Sequence, residues 1–303
     1  MKPIAIFMSD LHLSLTPPAC RADKDWLAVQ AGYLEQVDAL REGDTEIPII
    51  IAGDIFDRWN PPNELVHFAL RHLPDNVMSI PGQHDLPNHR IDDMFRSGYG
   101  VLVEARKLQH IAGRKEMQGP GNTRISGFGW GQEITRPRTK DNAFQIAVIH
   151  KYIWAGDRKY PDAPADCEVT GMQKQFAGYD MVVAGDNHKG FLVTQSSGTR
   201  VLNCGGFIRR KSDEIDYRPC VGLLFELGTV KRHKLDTSAD VFQSEVAAHP
   251  ETAVDLQSFI QGLEELGEHG LNFREMVKNH LRTEDLSLGA KQIIMEALDA
   301  QAV

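Results

Sequence analysis

Short, largely apolar runs rich in β-branched residues recur along the chain, and each is closed by a polar turn. Residues 4–8, 47–52, 77–80, 143–149 and 180–184 have this form, which predicts strands buried on both faces of a sheet. Between the first two, residues 25–41 carry Trp26, Val29, Tyr33, Val37 and Leu40 at three- and four-residue spacing, the signature of one buried helix face. A second helix is expected after Pro61 and Pro62, running to His72. Strand alternating with helix predicts βαβ units and a largely parallel sheet. Residues 101–103 and 124–128 read as edge strands, with a turn at 119–122. Residues 191–194, 200–203, 221–227 and 229–235 read as further strands, forming a second sheet. Beyond about Ser238 the period changes to that of helices, at 253–266, 273–281 and 288–298, with Gly267, Gly270 and Gly289 between them. The expected organisation is a domain over 1–237 and a helical extension over 238–303, which either packs on its own chain or docks a partner.

The polar residues that close the strands carry the chemistry. The first strand ends in Ser9-Asp10-Leu11-His12, and alternation along an opening strand would point Asp10 and His12 to one side. A carboxylate and an imidazole so placed make half of a metal site. The second strand runs into Gly53-Asp54-Ile55-Phe56-Asp57, which places Asp54 at the carboxyl edge of the sheet, where open α/β folds bind ligands. One carboxylate there can bridge two ions through its two oxygens. The third strand leads into Pro81-Gly82-Gln83-His84-Asp85, a tight turn that presents an amide, an imidazole and a carboxylate in succession. The Gln83 amide oxygen is a hard donor for a metal, and His84 beside it could meet a phosphate or a leaving group. His150 closes the fourth strand, and Gly185-Asp186-Asn187-His188 closes the fifth. Gly205 and Gly206 allow a close backbone approach near the same place.

Composition narrows the partners. With 42% hydrophobic and 25% charged residues the chain is that of an ordinary globular protein. No apolar run nears the roughly 18 residues that would span a bilayer, so no membrane partner is expected. The N-terminus enters a strand at once, without a signal-peptide pattern. Cys20, Cys167, Cys204 and Cys220 are scattered, which fits free thiols in a reducing cytoplasm. A formal net charge of −9 argues against a protein that coats nucleic acid by bulk electrostatics. Two divalent cations would offset four of those charges where a phosphate must approach. Arg209, Arg210 and Lys211 are candidates to meet phosphate, or else form a solvated charged loop.

The ordered set Asp10-x-His12, Gly53-Asp54-x-x-Asp57, Gly82-Gln83-His84-Asp85, His150 and Gly185-Asp186-x-His188 resembles the calcineurin-like metallophosphoesterases over residues 4 to about 235. Its opening and its Gly-Asp-Ile-Phe-Asp element are most similar to the SbcD-type DNA repair exonucleases of bacteria and phages. The resemblance implies an α/β fold, a four-layer αββα sandwich, here with a helical C-terminal appendage. It implies that Asp10, His12 and His188 hold one divalent ion and that Asp54 bridges. Gln83, His150 and Asp186 would hold the other ion, and His84 would be the general acid, with Asp85 as its orienting partner. The family's usual Asn is Gln83 here, and its usual His is Asp186. Gln83 keeps an amide oxygen and Asp186 puts a carboxylate where the family has an imidazole, so the second position is oxygen-rich, which favours manganese, or magnesium, over zinc. The implied function is two-metal cleavage of DNA in repair or phage DNA metabolism, with an SbcC-like ATPase subunit or a homodimer as partner. The alternatives are a stand-alone phosphodiesterase or phosphatase for nucleotides or small esters, and a non-catalytic scaffold that keeps the fold and one metal.

Overall fold

The computed structural model describes residues 2–113, 116–138 and 142–243. Strand β1 (Ala5–Met8), helix α1 (Trp26–Ala39), strand β2 (Ile49–Ala52), helix α2 (Asn63–His72) and strand β3 (Val77–Ile80) follow one another in the expected alternation. The Asp25 side chain caps α1 by accepting from the Ala28 amide at 2.9 Å. Helix α3 (Gly98–Glu104) and strand β4 (Leu108–His110) complete this half. The edge strand expected at 101–103 is therefore a helix. Ser97 caps it through the Gly100 amide at 3.1 Å, and Tyr99 and Leu102 are turned into the core. Burial of that helical face outweighs the strand preference of two valines.

Strands β5 (Met117–Gln118), β6 (Thr123–Phe128), β7 (Phe144–His150), β8 (Met181–Gly185), β9 (Phe191–Thr194), β10 (Arg200–Asn203), β11 (Cys220–Leu224) and β12 (Val230–Lys234) follow. They pair into two six-stranded sheets, ordered β12-β11-β1-β2-β3-β4 and β5-β6-β7-β8-β10-β9. The second sheet thus begins before residue 191, and β11 and β12 leave it for the first, where β11 lies antiparallel to β1 with Phe7 opposite Gly222. The strands around the centre of each sheet are parallel, β1-β2-β3 in one and β6-β7-β8-β10 in the other.

Alternation along each strand then makes three apolar layers. Ala5, Phe7 and Ile50 face Ile146, Val148, Met181 and Val183 between the sheets. Ile6, Met8, Ile49 and Ile51 face α1, α2 and α3 on the outside of the first sheet. Ala147, Ile149, Val182 and Ala184 are covered by Ile153, Met172, Phe176 and Tyr179 on the outside of the second. That cover is built from the 3-10 turn Val169–Lys174 and adjoining loop. Each large side chain removed from water in these layers contributes about 1.5–3 kcal/mol. The architecture is the α/β sandwich expected from the sequence. No helix among the described residues is long and apolar enough to cross a membrane.

The chain divides between Ser244 and Glu245. Residues 238–243 run back along residues 20–23, where Ala22 N donates to Val241 O at 2.9 Å and Gln243 N to Cys20 O at 3.0 Å. Asp240 accepts from Arg21, Arg209 and Tyr33 at 3.0, 2.8 and 2.8 Å. The helices expected over 253–298 lie outside the described residues.

Candidate metal centre

The carboxyl ends of the parallel strands of both sheets open at one edge of the sandwich. Past β1 the chain stays beside the chain past β2, with Asp10 N donating to Gly53 O at 3.1 Å and His12 N to Asp54 O at 3.0 Å. Asp10, His12, Asp54 and Asp186 all take a left-handed backbone, with φ of +53°, +45°, +55° and +88°. Asp10 and His12 therefore share a side because the chain turns sharply at each, not because a strand continues through them. Left-handed φ is uncommon outside glycine and best tolerated by Asp and Asn, and it clusters where function holds it in place. Two glycines make room. A Cβ on Gly53 would lie 2.2 Å from His150 Nδ1, and one on Gly82 would lie 2.0 Å from Asp54 Oδ1.

Asp10, His12 and His188 bring one donor atom each within 4.8 Å of one another, as do Asp10, Asp54 and His150, and also His12, Asp54 and His84. His12 Nε2 and His188 Nε2 are 3.1 Å apart. His150 Nε2 is 3.3 Å from Asp54 Oδ2. Its other nitrogen, Nδ1, stands 2.6 Å from the Ala52 carbonyl. A carbonyl only accepts, so Nδ1 bears the hydrogen and Nε2 faces the centre. The Asp186 amide donates to Asp10 Oδ1 at 2.8 Å, and Gln83 Nε2 donates to Asp186 Oδ1 at 3.0 Å. The structure thus gathers Asp10, His12, Asp54, Gln83, His150, Asp186 and His188 in one place.

The donor set fits cations. Asp10 Oδ2, Gln83 Oε1 and His12 Nδ1 are buried and have no hydrogen-bond partner. An unsatisfied buried group costs about 1–3 kcal/mol, so such a concentration of them points to an ion that they share. The electrostatics agree. Burial, with Asp54 adding to it, pushes the Asp10 carboxyl up to about 7. Burial would raise Asp54 too, but His150 and His84 outweigh it and hold that carboxyl down to about 2. Burial disfavours the His150 cation, yet Asp54, Asp186 and Asp10 together raise its pKa to about 10. The site is short of positive charge, and a proton on His150 fills part of the deficit. On the far side, burial and the charges of Lys211 and Arg210 lower His188 to about 3, which leaves a neutral ring with a lone pair for a metal.

His84 stands at the mouth, half-buried, with its ring 4.9 Å from that of His12. Its backbone amide donates to Asp54 Oδ1 at 3.0 Å, and its Nδ1 is 3.0 Å from the Asp57 carbonyl. Asp85, expected as its orienting partner, is not. The Asp85 carboxylate accepts from the amides of Ile55 and Gly82, both at 3.0 Å, and of Phe56 at 3.3 Å. It fixes the backbone that carries Asp54, and the carbonyl of Asp57 orients His84. Nothing in local spacing separates these two jobs. Asp57 itself lies outside the donor set, 3.8 Å from His12 Nδ1, and accepts from Arg210 at 2.6 Å. Arg209, a candidate for phosphate, is buried against Asp240 and the carbonyls of Ile215 and Thr237, at 2.8, 2.5 and 3.0 Å. Trp130, which the sequence reading passed over, places its ring 6.3 Å from that of His150. A cavity of about 950 Å³ lined by Ile4, Phe144 and Leu224 contains none of the donor residues.

Comparison with known proteins gives several distant structural likenesses and one family match. A 5'-nucleotidase precursor from Thermus thermophilus aligns with a TM-score of 0.43 and 14% identity, over 78% of this chain and 54% of that one, so the match spans about half of its length. A dimetal phosphatase from Danio rerio aligns with a TM-score of 0.47 and 12% identity, over 80% and 99% of the two chains. A phosphopantetheinyl hydrolase from Mycobacterium tuberculosis gives a TM-score of 0.40 and 13% identity, over 78% and 97%. No curated protein matches the chain significantly. Residues 5–190, a span that takes in every donor residue from Asp10 to His188, match the family described as calcineurin-like phosphoesterase. The chain belongs to that family.

Proposed function

We propose that this phosphoesterase is a DNA nuclease of SbcD type, an exonuclease that cuts phosphodiester bonds at DNA ends with two divalent ions. Asp10, His12 and His188 would hold one ion, Gln83, His150 and Asp186 the other, with Asp54 shared. Divalent ions held by these residues would supply Lewis acidity to the phosphodiester and to the attacking water. His84 carries the leaving-group role. Its Nδ1–H is held by the Asp57 carbonyl, so Nε2 is the atom that delivers a proton to the departing alkoxide, a contribution of about 10² to 10⁴ in rate. Manganese is the proposed ion, because Gln83 and Asp186 supply oxygen.

The observation that carries the choice of DNA is the charge at the open side of the centre. Arg210 is bonded to Asp57 beside His12, and Lys211 follows it, in a chain whose net charge is −9. Cations gathered at one rim of an acidic protein suit a polyanion, and the acidic remainder suits a protein that grips long DNA together with an SbcC-like ATPase subunit. The test is cleavage of linear and closed circular DNA, with manganese, magnesium and zinc in turn, beside turnover of bis-p-nitrophenyl phosphate. Degradation of the linear form in manganese is the expected result. Hydrolysis of the small ester with both DNA forms left intact would sink the nuclease reading in favour of a small-ester phosphodiesterase.

A further inference from the structure

The turn that supplies Asp186 and His188 also builds a feature on its outer side. Asn187, fully buried between those two residues, donates through Nδ2 to the carbonyls of Ile153 and Arg158, both at 2.8 Å. This ties the loop after β7 to the metal turn. Within that loop Tyr160 N donates to the Tyr152 hydroxyl at 3.0 Å, and the two rings lie 6.1 Å apart. Lys189, the residue after His188, places Nζ 4.9 Å from the centre of the Tyr160 ring. Lys211, the residue after Arg210, places Nζ 5.5 Å from the same ring. Two ammonium groups from separate loops, each next in sequence to a residue of the metal centre or its mouth, thus meet over one aromatic side chain. Both distances are within cation–π range.

We propose that Lys189 and Lys211, gathered by Tyr160, form a subsite for the phosphate next to the scissile one, so that the substrate strand is an oligonucleotide rather than a mononucleotide or small ester. The inference rests on the phosphodiesterase reading above and adds the residues that hold the neighbouring phosphate of the strand. Like charges do not collect on an acidic protein without a cause. Here 42 carboxylate residues outnumber 33 lysines and arginines across the sequence. Glu214 accepts from the amides of Arg210 and Lys211 at 2.6 and 3.1 Å and so fixes the backbone that carries Lys211. Asp157, on the neighbouring loop, lies 3.4 Å from Arg158. Lys189 donates one of its three N–H groups to the Lys159 carbonyl at 2.8 Å, which sets its direction and leaves two for an anion. A single strand that places one phosphodiester at the metal centre must place the next a few ångströms along, and the rim follows the metal turn.

The test uses the full chain and the double variant Lys189→Gln/Lys211→Gln. Binding of a fluorescein-labelled single-stranded 12-mer is measured by anisotropy in EDTA across a salt series, so that no hydrolysis is needed. Loss of the one phosphate contact that the two lysines share should reduce the slope of log affinity against log salt by about 0.7. With manganese present, kcat/KM for the oligonucleotide relative to bis-p-nitrophenyl phosphate should fall about tenfold, chiefly through KM. Equal slopes and an unchanged ratio, or no oligonucleotide binding by the unaltered chain, overturn the subsite. A reduced slope in a protein that hydrolyses no ester in any divalent ion would uphold the subsite and refute the phosphodiesterase reading instead.

Discussion

The two halves proposed for the metal centre differ in how they are assembled. In one, Asp10 meets two imidazoles, His12 and His188, whose Nε2 atoms are 3.1 Å apart. Burial drives both rings toward the neutral state, reinforced by Arg210 for His12 and by Lys211 and Arg210 for His188. In the other half, Gln83 and Asp186 are bonded to each other at 3.0 Å, and His150 is held in its charged form by Asp54, Asp186 and Asp10. The first half presents lone pairs without rearrangement. The second must give up a proton from His150 before an ion can replace it. The expected outcome is an ordering of affinity, the first position taking an ion more tightly and over a wider pH range than the second, which calorimetric titration across pH checks.

Asp54 is the residue proposed to serve both halves, and its removal is the largest way to break the comparison. Asp54→Ala should abolish the distinction by weakening both positions together. Loss of several kcal/mol of charge stabilisation corresponds to about 10⁴ or more in turnover on any ester. Calorimetric titration with manganese checks it, and one undisturbed binding event would show that Asp54 serves only one half. His84→Ala should act on neither half. Both ions should remain, with turnover reduced about 10² to 10⁴ on esters with poor leaving groups and far less on activated ones. An equal loss on both kinds of ester would remove His84 from the role of acid.

The same contrast shows how far a sequence speaks. The strand ends were legible because each apolar run stops at a polar turn, and local period does not depend on what the strand pairs with. Pairing itself was not legible. Cys220–Leu224 lies beside Ala5–Met8, more than two hundred residues away in the chain, and no local pattern distinguishes that neighbour from a strand of the other sheet. The donor residues could be listed from their types and order, yet not the reason they converge. Asp10, His12, Asp54 and Asp186 turn through left-handed backbone, which a strand pattern does not announce. Asp85 and Arg209 were misplaced for a related reason. A carboxylate that braces three amides reads, as letters, like a partner for the histidine before it, and a guanidinium that braces two carbonyls reads like a group waiting for phosphate.

Asp186 sharpens the comparison further, because it is the carboxylate where the family resemblance leads one to expect an imidazole. Asp186→Ala should weaken the second ion about 10- to 100-fold and leave the first in place. Asp186→His should restore a second ion and move preference toward zinc, since nitrogen replaces oxygen in that half. Two undisturbed ions in the alanine variant would mean that Asp186 serves only to orient Gln83.

The smallest expected effect separates a ligand from a neighbour of one. Gln83 Oε1 is buried with no hydrogen-bond partner, while Nε2 on the same amide is held by Asp186. If that oxygen faces the second ion, Gln83→Asn keeps the donor type but draws it back by one methylene, about 1.5 Å. The amide then cannot reach both the ion and Asp186 from the same backbone position. The second ion should bind less than about tenfold more weakly, and the first should not change. Turnover at saturating manganese should be nearly restored, because added metal refills a weakened position by mass action. If Gln83 only steadies Asp186, the result differs in kind: the metal-free protein loses stability, and the affinity for both ions stays where it was. Titration and thermal melting of the metal-free variant, done side by side, distinguish the two. A shift in melting without a shift in the second affinity would take Gln83 out of the ligand set.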